Sequence, residues 1–467
     1  MVAAPHPVAP VQRQRLWTGP QGYVLFLAVV LAGYLFFGRP FAYLHVPAIP
    51  VFLGELLLGV GLVVVLRRSH HLVRTVSRSP PLEALLLLLG LGTARLVADL
   101  PSYGLLALRD AALWYYALLA FVVAALLTLN PSLLDRLLSW YARILPWFLV
   151  WGGVAVIVSR QLTNGPTVPG TGVPVFGFKA GDLAVHLAIG LSFFWLLKGE
   201  ETLPARRLRL LVTGAGLMSL LIAGTTNRGG FVSAAFILGG TALASPARRR
   251  TMVSTVAGVL LLLLALAALS DARLDVDGRE ISLRQLAENV STLVGAEGSE
   301  KGAQRGTVQW RLAYWGDIAQ DTLAGNNGPL GLGFGPNLAD TYGYQVAFDE
   351  PLRNAHNSHV TLLARLGLPG FAVWLLFWLV WFRTLASKRR KASPESRERH
   401  LSSWLTISVL GILVNAAFDP GLEGPQVALW LWTLVGIGCS GDWTTETSSR
   451  ASGARAAWAR NGRISPI

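Results

Sequence analysis

Residues 117–129 read Ala-Leu-Leu-Ala-Phe-Val-Val-Ala-Ala-Leu-Leu-Thr-Leu, an apolar stretch that contains no charged side chain. It is the end of a longer, mostly apolar run over residues 109–129. At a rise of 1.5 Å per residue, about 20 helical residues cross a hydrocarbon core of roughly 30 Å. The stretch therefore predicts a helix that spans a membrane.

Apolar runs of similar length recur along the whole chain. We expect about twelve membrane-spanning helices, near residues 23–38, 49–66, 82–99, 109–129, 138–158, 182–198, 208–223, 230–244, 252–269, 357–383, 402–418 and 426–441. Because a helix satisfies its own backbone polar groups in lipid, the pattern predicts an all-α polytopic membrane protein. One connection, between the ninth and tenth spans, is much longer than the others, and loops of that size are usually functional or disordered.

The composition agrees with a membrane protein and excludes several other classes. Hydrophobic residues make up 52% of the chain and charged residues only 14%, whereas a soluble domain has about 25% charged residues. These values exclude a soluble enzyme, a secreted disulfide scaffold and a disordered protein. The single cysteine, Cys439, excludes a disulfide within the chain.

The formal net charge of +14 would suit a nucleic-acid-binding protein, but its distribution indicates membrane orientation. Basic clusters at residues 67–78, 206–209, 248–250 and 388–391 fall on one side of the membrane when the spans are counted. Lys and Arg accumulate in cytoplasmic loops. The pattern predicts cytoplasmic N- and C-termini and no nucleic-acid partner.

These predictions divide the chain into five parts. They are a cytoplasmic N-terminal tail (1–22), the first nine spans (23–269), a large outside loop (270–355), the last three spans (356–441) and a cytoplasmic C-terminal tail (442–467).

The large loop has a regular pattern of its own. Apolar residues at helical spacing predict short amphipathic helices over residues 281–294 and 307–324. A Gly-rich turn follows over residues 328–337. It lacks the Gly-Lys-Ser/Thr sequence and is expected to face outside, away from ATP, so a P-loop is excluded.

The first candidate site lies in the outside turn Thr225-Thr226-Asn227-Arg228-Gly229-Gly230. Arg228 departs from the bias that places basic residues inside. Gly229 and Gly230 would let a bulky anion approach the backbone, and the free N–H groups at a helix start favour an anion. The alternative is an arginine that only caps the turn and extends its charge to water.

The second candidate is Arg311. On a helix, Arg311 shares a face with the apolar residues Trp315 and Ile318. An unpaired buried charge is very costly, so Arg311 requires a partner. That partner is either an acid of the same loop or a bound anion, and the guanidinium group is well shaped for phosphate.

The third candidate is the segment Asn354-Ala355-His356-Asn357-Ser358-His359, which opens the tenth span. We expect His356 and His359, three residues apart, to share a face near the helix N-terminus. The positive end of the helix dipole should lower the pKa of a histidine there, and the neutral form can act as a general base. The alternatives are a hydrogen-bonded interfacial histidine and half of a metal site, although His-x-x-His without a third ligand does not specify one.

Together these motifs resemble the O-antigen ligase and O-antigen polymerase superfamily. The residues that resemble it are Asn227-Arg228-Gly229-Gly230, Arg311 with Trp315 leading to Pro329-Leu330-Gly331-Leu332-Gly333, and His356-Asn357-Ser358-His359 with Leu366-Gly367-Leu368-Pro369-Gly370. Members are bacterial inner-membrane proteins with about twelve spans and one large periplasmic loop late in the chain. The resemblance extends to the architecture of the whole chain, and its specific part is roughly residues 225 to 370.

The resemblance implies a glycosyltransferase that moves a glycan from an undecaprenyl-pyrophosphate carrier to an acceptor sugar hydroxyl on the periplasmic side. It implies catalytic roles for Arg228, Arg311 and His356, pyrophosphate binding by Arg228, Arg311 and Gly229, and supporting roles for Asn357 and His359. No metal or other cofactor is implied. The partners would be a lipid-linked glycan donor and a lipid- or glycan-borne acceptor, and we expect inversion at the anomeric carbon.

Three alternatives remain at this point. One is a repeat-unit polymerase of the same superfamily, acting on O-antigen or exopolysaccharide. Another is a polysaccharide transporter or flippase, which would be expected to show internal symmetry or polar pairs near the midplane. The last is a multi-pass glycosyltransferase of the kind that carries acidic residues in its first outside loop, but residues 38–50 contain none.

Overall fold

The computed structural model describes residues 19–45, 51–162, 165–197, 203–224, 227–269, 274–276, 279–281, 302–325, 329–346, 352–441 and 443. These residues are predominantly helical. The helices are α1 (Pro20–Phe37), α2 (Leu53–Leu66), α3 (Ser69–Val76), α4 (Pro80–Tyr103), α5 (Leu105–Asp110), α6 (Ala112–Tyr115), α7 (Leu118–Leu129), α8 (Ser132–Gln161), α9 (Ala180–Leu196), α10 (Leu203–Gly224), α11 (Arg228–Ala244), α12 (Pro246–Leu269), α13 (Gly302–Ala324), α14 (Leu338–Thr341), α15 (Ser358–Lys391), α16 (Arg397–Ala416) and α17 (Pro425–Cys439). Short 3-10 helices cover Arg39–Tyr43 and Gly421–Glu423.

The strands β1 (Leu274–Val276) and β2 (Arg279–Ile281) form a small antiparallel ladder, with Asp275 opposite Glu280. This ladder occupies the start of the predicted outside loop.

A helix overlaps each of the twelve predicted apolar runs. Among the described residues, six stretches are long and apolar enough to cross a membrane: Pro20–Phe37, Pro80–Tyr103, Ala112–Leu129, Ser132–Ser159, Arg207–Gly224 and Ser358–Lys391. A seventh span is formed if α2 and α3, which meet at a bend of 98°, are counted together. The chain is therefore a multi-pass membrane protein, and twelve spans remain a prediction because several of the other apolar helices are shorter.

Helix α9 lies at the centre of the bundle. Every residue from Gly181 to Leu196 is buried, and α9 packs against α8, α10, α11 and α16. Close packing requires small residues. A Cβ atom at Gly230, in the first turn of α11, would lie 2.5 Å from the Cα atom of Gly181. The start of α11 is therefore pressed against the start of α9.

The long helix α15 is broken at Gly367, whose backbone has φ 62° and ψ −162°. Pro369 follows the break and has no N–H to donate, so carbonyl groups one turn earlier are left free. The Gly-rich turn supplies their partners. Leu332 N–H donates to Ala364 O (2.7 Å), and Gly333 N–H donates to Arg365 O (3.0 Å).

The break is also closed from the other side, because Leu368 N–H donates to Pro329 O at 3.0 Å. The Gly-rich turn and the Leu366–Gly370 motif are thus two halves of one joint, in which each supplies backbone partners to the other. These hydrogen bonds fix the Gly-rich turn on the helix that begins two residues after His356.

The two amphipathic helices predicted for the outside loop have different outcomes. The prediction over residues 307–324 is confirmed, because α13 covers it. The prediction over 281–294 lies outside the described residues beyond Ile281.

Candidate functional site

The loop between α16 and α17 is the common contact of the three predicted motifs. Its Phe418 carbonyl accepts a hydrogen bond from Nη1 of Arg311 at 3.3 Å, across 107 residues of sequence. On the other side, a Cβ atom at Gly229 would lie 2.8 Å from Cβ of Phe418. The Asn-Arg-Gly-Gly turn and Arg311 of α13 therefore both contact this loop.

The neighbouring residue Asp419 brings in a cation and the start of α15. Its carboxylate forms an ion pair with Lys179, which immediately precedes α9. Its carbonyl oxygen accepts a hydrogen bond from Ser358 Oγ at 3.3 Å. Burial alone would lower the pKa of Lys179, but Asp182 and Asp419 outweigh that effect and raise it. Lys179 therefore remains charged beside the site.

His356 does not lie on the helix, so the prediction of a face shared with His359 is wrong. Helix α15 begins at Ser358, with Asn357 as its N-cap. His356 has φ 50°, and no other non-glycine residue in the described ranges has a positive φ. The left-handed conformation turns the chain before the helix starts. The spacing of three residues between His356 and His359 therefore does not place the two side chains on one helix face.

The environment of His356 favours its neutral form, as predicted, but for a different reason. Burial lowers its pKa, and the positive charge of Arg311 lowers it further. Asp419 opposes both effects and Lys179 adds to them. The ring also lies edge-to-face with Trp310 at a centroid distance of 6.3 Å. The cause is therefore burial next to a cation, because His356 precedes the helix whose dipole was expected to act.

His359 is held inside the helix bundle by both ring nitrogens. Trp374 donates from Nε1 to His359 Nδ1 at 3.1 Å, so Nδ1 is an acceptor. Nε2 then carries the proton and donates to Leu413 O at 2.9 Å. A histidine with both nitrogens used is not available as a metal ligand or a base. His359 supports the site only by anchoring the first turn of α15.

Asn357, the other supporting residue predicted, is a helix cap. Its side-chain oxygen accepts from the backbone N–H groups of His359 (3.0 Å) and Val360 (3.2 Å). Within the described ranges, no three His, Cys, Asp or Glu side chains are grouped so that they could hold a metal ion.

Arg311 lies on the face of α13 that the sequence predicts. Its neighbours on that face, Ile318 and Thr322, are buried. The guanidinium is half-buried, and no carboxylate of the described residues lies within ion-pair distance. Its Nε is buried and has no hydrogen-bond partner among the residues that the structure describes. The acid that acts on it electrostatically is Asp419, from a different loop, so an ion pair within the same loop is not the arrangement found.

Arg228 is the first residue of α11, and its side chain lies outside the described part of the structure. The cap is Asn227, whose side-chain oxygen accepts from Gly230 N–H at 2.9 Å. The prediction that Gly229 and Gly230 make room for an anion needs correction. The space beside them is filled by Phe418 and Gly181, so these glycines allow close helix and loop packing.

Sequence reasoning missed Lys179 and Asp419 as site residues. It also missed Asp182, which is buried and accepts a hydrogen bond from Asn415 Nδ2 at 3.0 Å. A usable signal existed, because Lys179, like Arg228, departs from the positive-inside bias and lies directly before a predicted span.

The three motif segments that meet at this loop lie in one part of the chain that matches a known protein family. Residues 213–375 match the O-antigen ligase family. The resemblance predicted from the motifs is therefore confirmed for a region that contains Arg228, Arg311 and His356. A comparison with curated proteins finds no match. Lys179 and Asp419 lie outside the region of O-antigen ligase similarity and reach the site through the fold.

Proposed function

We propose that this protein is an O-antigen ligase-type glycosyltransferase. It moves a glycan from undecaprenyl pyrophosphate to an acceptor sugar hydroxyl at the outer face of the bacterial inner membrane. The observation that supports this most directly is the convergence of Arg311, His356 and Lys179 around Phe418 and Asp419. A half-buried neutral base beside Arg311 and the Lys179–Asp419 ion pair offers the proton acceptor and the positive charge that such a transfer needs.

The reaction is a direct displacement. His356 accepts the proton of the acceptor hydroxyl, as the hydroxyl oxygen forms a bond to the anomeric carbon. The bond from that carbon to the pyrophosphate oxygen breaks at the same time, and its electron pair leaves with undecaprenyl pyrophosphate. Attack opposite the leaving group inverts the anomeric centre. A general base of this kind contributes typically 10²–10⁴-fold to the rate.

Arg311 stabilises the leaving group, whose negative charge grows as the glycosidic bond breaks. It uses one donor on the Phe418 carbonyl, and its Nε has no partner within the described part of the chain, so it retains donors for a phosphate oxygen. Preorganised cations in a poorly hydrated site are usually the largest contribution to catalysis. Arg228 and Lys179 add positive charge at the starts of α11 and α9.

The wider proposal concerns orientation and partners. Both chain termini are cytoplasmic and the large loop is periplasmic, in accordance with the distribution of basic residues. The donor is a lipid-linked glycan, the acceptor is a lipid-borne sugar, and the reaction requires no metal. The similarity to O-antigen ligases favours transfer to an acceptor of a different kind over polymerisation of identical repeats.

The test is a transfer assay with purified protein in detergent. The donor is an undecaprenyl-pyrophosphate-linked oligosaccharide with a radiolabelled sugar, and the acceptor is lipid A with core sugars. His356→Ala and Arg311→Ala should each lower the rate at least 100-fold, because each removes a group that acts in the transition state. The matched controls are His70→Ala and Arg397→Ala, at exposed positions away from the site.

Wild-type transfer by both site variants would contradict the catalytic assignment. Loss of activity with a chelator would contradict metal independence. Elongation of a second lipid-linked oligosaccharide, with no transfer to lipid A core, would indicate the polymerase instead.

A further inference from the structure

Arg353 and Asn354, which lie just before Ala355 and His356, each donate a hydrogen bond to a buried carboxylate. Arg353 donates from Nη2 to the Asp110 carboxylate at 3.1 Å. Asn354 donates from Nδ2 to Oε2 of Glu423 at 3.0 Å. Asp110 ends α5 and Glu423 lies in the 3-10 helix before α17, so the segment is fastened from two different elements.

Asp110 connects this segment to the joint in α15. Its Oδ2 accepts from Arg353, from Nη2 of Arg365 at 2.9 Å and from Gly335 N–H at 3.0 Å. The Arg365 side chain is 2% exposed and that of Asp110 7%. Arg365 also donates from Nη1 to two carbonyl groups of the Gly-rich turn, at 3.0 Å and 2.6 Å. The network is buried and charge-assisted, which makes it rigid.

Glu423 acts closer to His356. The backbone N–H of His356 donates to Oδ1 of Asn354 at 3.1 Å. The other half of the same amide group is the donor to Glu423, so Glu423 determines which way the Asn354 side chain faces. The Glu423 carboxylate thereby orients Oδ1 of Asn354 toward the backbone N–H of His356.

The backbone of His356 requires such support. A left-handed conformation costs a residue with a Cβ atom about 1–2 kcal/mol. Unfavourable backbone conformations persist only where the surroundings over-determine them, and they cluster at functional sites. The hydrogen bonds of Arg353 to Asp110 and of Asn354 to Glu423, just before His356, provide this support.

We infer that Asp110 and Glu423 are positioning residues, which hold His356 in its left-handed conformation through Arg353 and Asn354. The inference rests on the proposed function of His356 as the base. It also assigns a structural role to the Gly-rich turn, which joins the same network through Gly335 and Arg365.

The test is a double-mutant cycle in the transfer assay. Asp110→Asn should lower kcat about 10- to 100-fold with little change in KM, because a misplaced base costs rate and leaves substrate binding intact. In a His356→Ala background, Asp110→Asn should change the residual rate by less than about 2-fold. A residue that acts through His356 has nothing left to act on once the imidazole is gone.

Asn354→Ala carries the same prediction and leaves the buried ion pairs of Asp110 intact, so it remains informative if Asp110→Asn folds poorly. Arg397→Gln, which breaks the exposed ion pair with Asp135, is the matched control and should retain the wild-type rate. Full activity of Asn354→Ala, or losses that multiply in the His356→Ala background, would overturn the inference. If His356→Ala itself retained wild-type activity, the proposed function would fail instead.

Discussion

Gly331 and Gly367 occupy each other's side-chain space. A Cβ atom on Gly331 would lie 2.6 Å from the backbone nitrogen of Gly367, and one on Gly367 would lie 2.7 Å from the nitrogen of Gly331. Both residues also have positive φ, 68° and 62°. Two sequence motifs that lie more than thirty residues apart are therefore one structural unit, and the Gly-rich turn is packed directly on α15.

Alanine at either glycine should destabilise the protein by more than backbone strain alone. Gly343→Ala is the matched control, because Gly343 has φ 75° but open space around it. Strain alone costs about 1 kcal/mol, and the backbone contacts at Gly331 and Gly367 add to it. Thermal unfolding of the three purified variants measures the difference. Equal melting temperatures for all three would show that the contact is not tight.

The pH dependence of transfer should reflect the environment of His356. Burial and Arg311 lower its pKa, so the midpoint of the acidic limb of log kcat/KM should lie below the ordinary pKa of histidine. Arg311→Gln removes one of the causes that lower this pKa and should move the acidic limb to higher pH, although the rate is lower throughout. Initial rates between pH 4.5 and 8 test this. An acidic limb at the same pH in Arg311→Gln would contradict the electrostatic coupling.

Glu423 should make stability depend on pH. Burial raises its pKa to about 7, so the folded protein binds the proton more tightly than the unfolded chain. Its contribution is fully present below the ordinary pKa of glutamate and is lost as the pH rises to about 7. At 1.36 kcal/mol per pKa unit, the loss is roughly 3 kcal/mol relative to Glu423→Gln.

Melting temperatures of wild type and Glu423→Gln between pH 4.5 and 8 measure this loss. The difference should change steadily up to about pH 7 and then remain constant. Glu395→Gln, at an exposed glutamate, should show no such trend. A constant difference for Glu423→Gln over the whole range would mean that Glu423 titrates normally.

Position 356 should show an inverted preference between glycine and alanine. In the left-handed region glycine is favoured over a residue with a Cβ atom by about 1 kcal/mol, so His356→Gly should melt above His356→Ala. At Ala313, an exposed residue in α13, glycine should lower stability by about 1 kcal/mol. The same order at both positions would contradict the left-handed conformation.

Membrane orientation can be tested with single cysteines, because Cys439 is buried. Gln320→Cys, on an exposed position of α13, should react with a membrane-impermeant maleimide in intact spheroplasts. His70→Cys, beside the basic residues of α3, should react only after permeabilisation. The reverse pattern would place the large loop in the cytoplasm.

Much of the fold could be predicted, because the signals are local. Apolar runs identified the helices, and the helical spacing around Arg311 placed it correctly on its face. The conformation of His356 was missed for a physical reason. No local sequence signal identifies His356 as a left-handed residue. The helix cap is Asn357, which follows His356, so His356 lies outside the helix.

The composition of the site was harder to predict than its motifs. Lys179 and Asp419 are 240 residues apart in sequence, and no periodicity connects them. They meet because the starts of α9 and α11 pack against the loop that begins at Phe418. Long-range packing of this kind is decided by the whole bundle, so a single sequence carries no local record of it.

The ion pair between Lys179 and Asp419 has a practical consequence for protein engineering. Both residues lie outside residues 213–375, the region of family similarity. If the proposed function is right, we therefore expect that this region does not carry the activity by itself. Consider a chimera in which a related protein receives only residues 213–375 of this chain. We expect it to lack transfer activity, and to regain that activity when Lys179 and Asp419 of this chain are introduced at the equivalent positions.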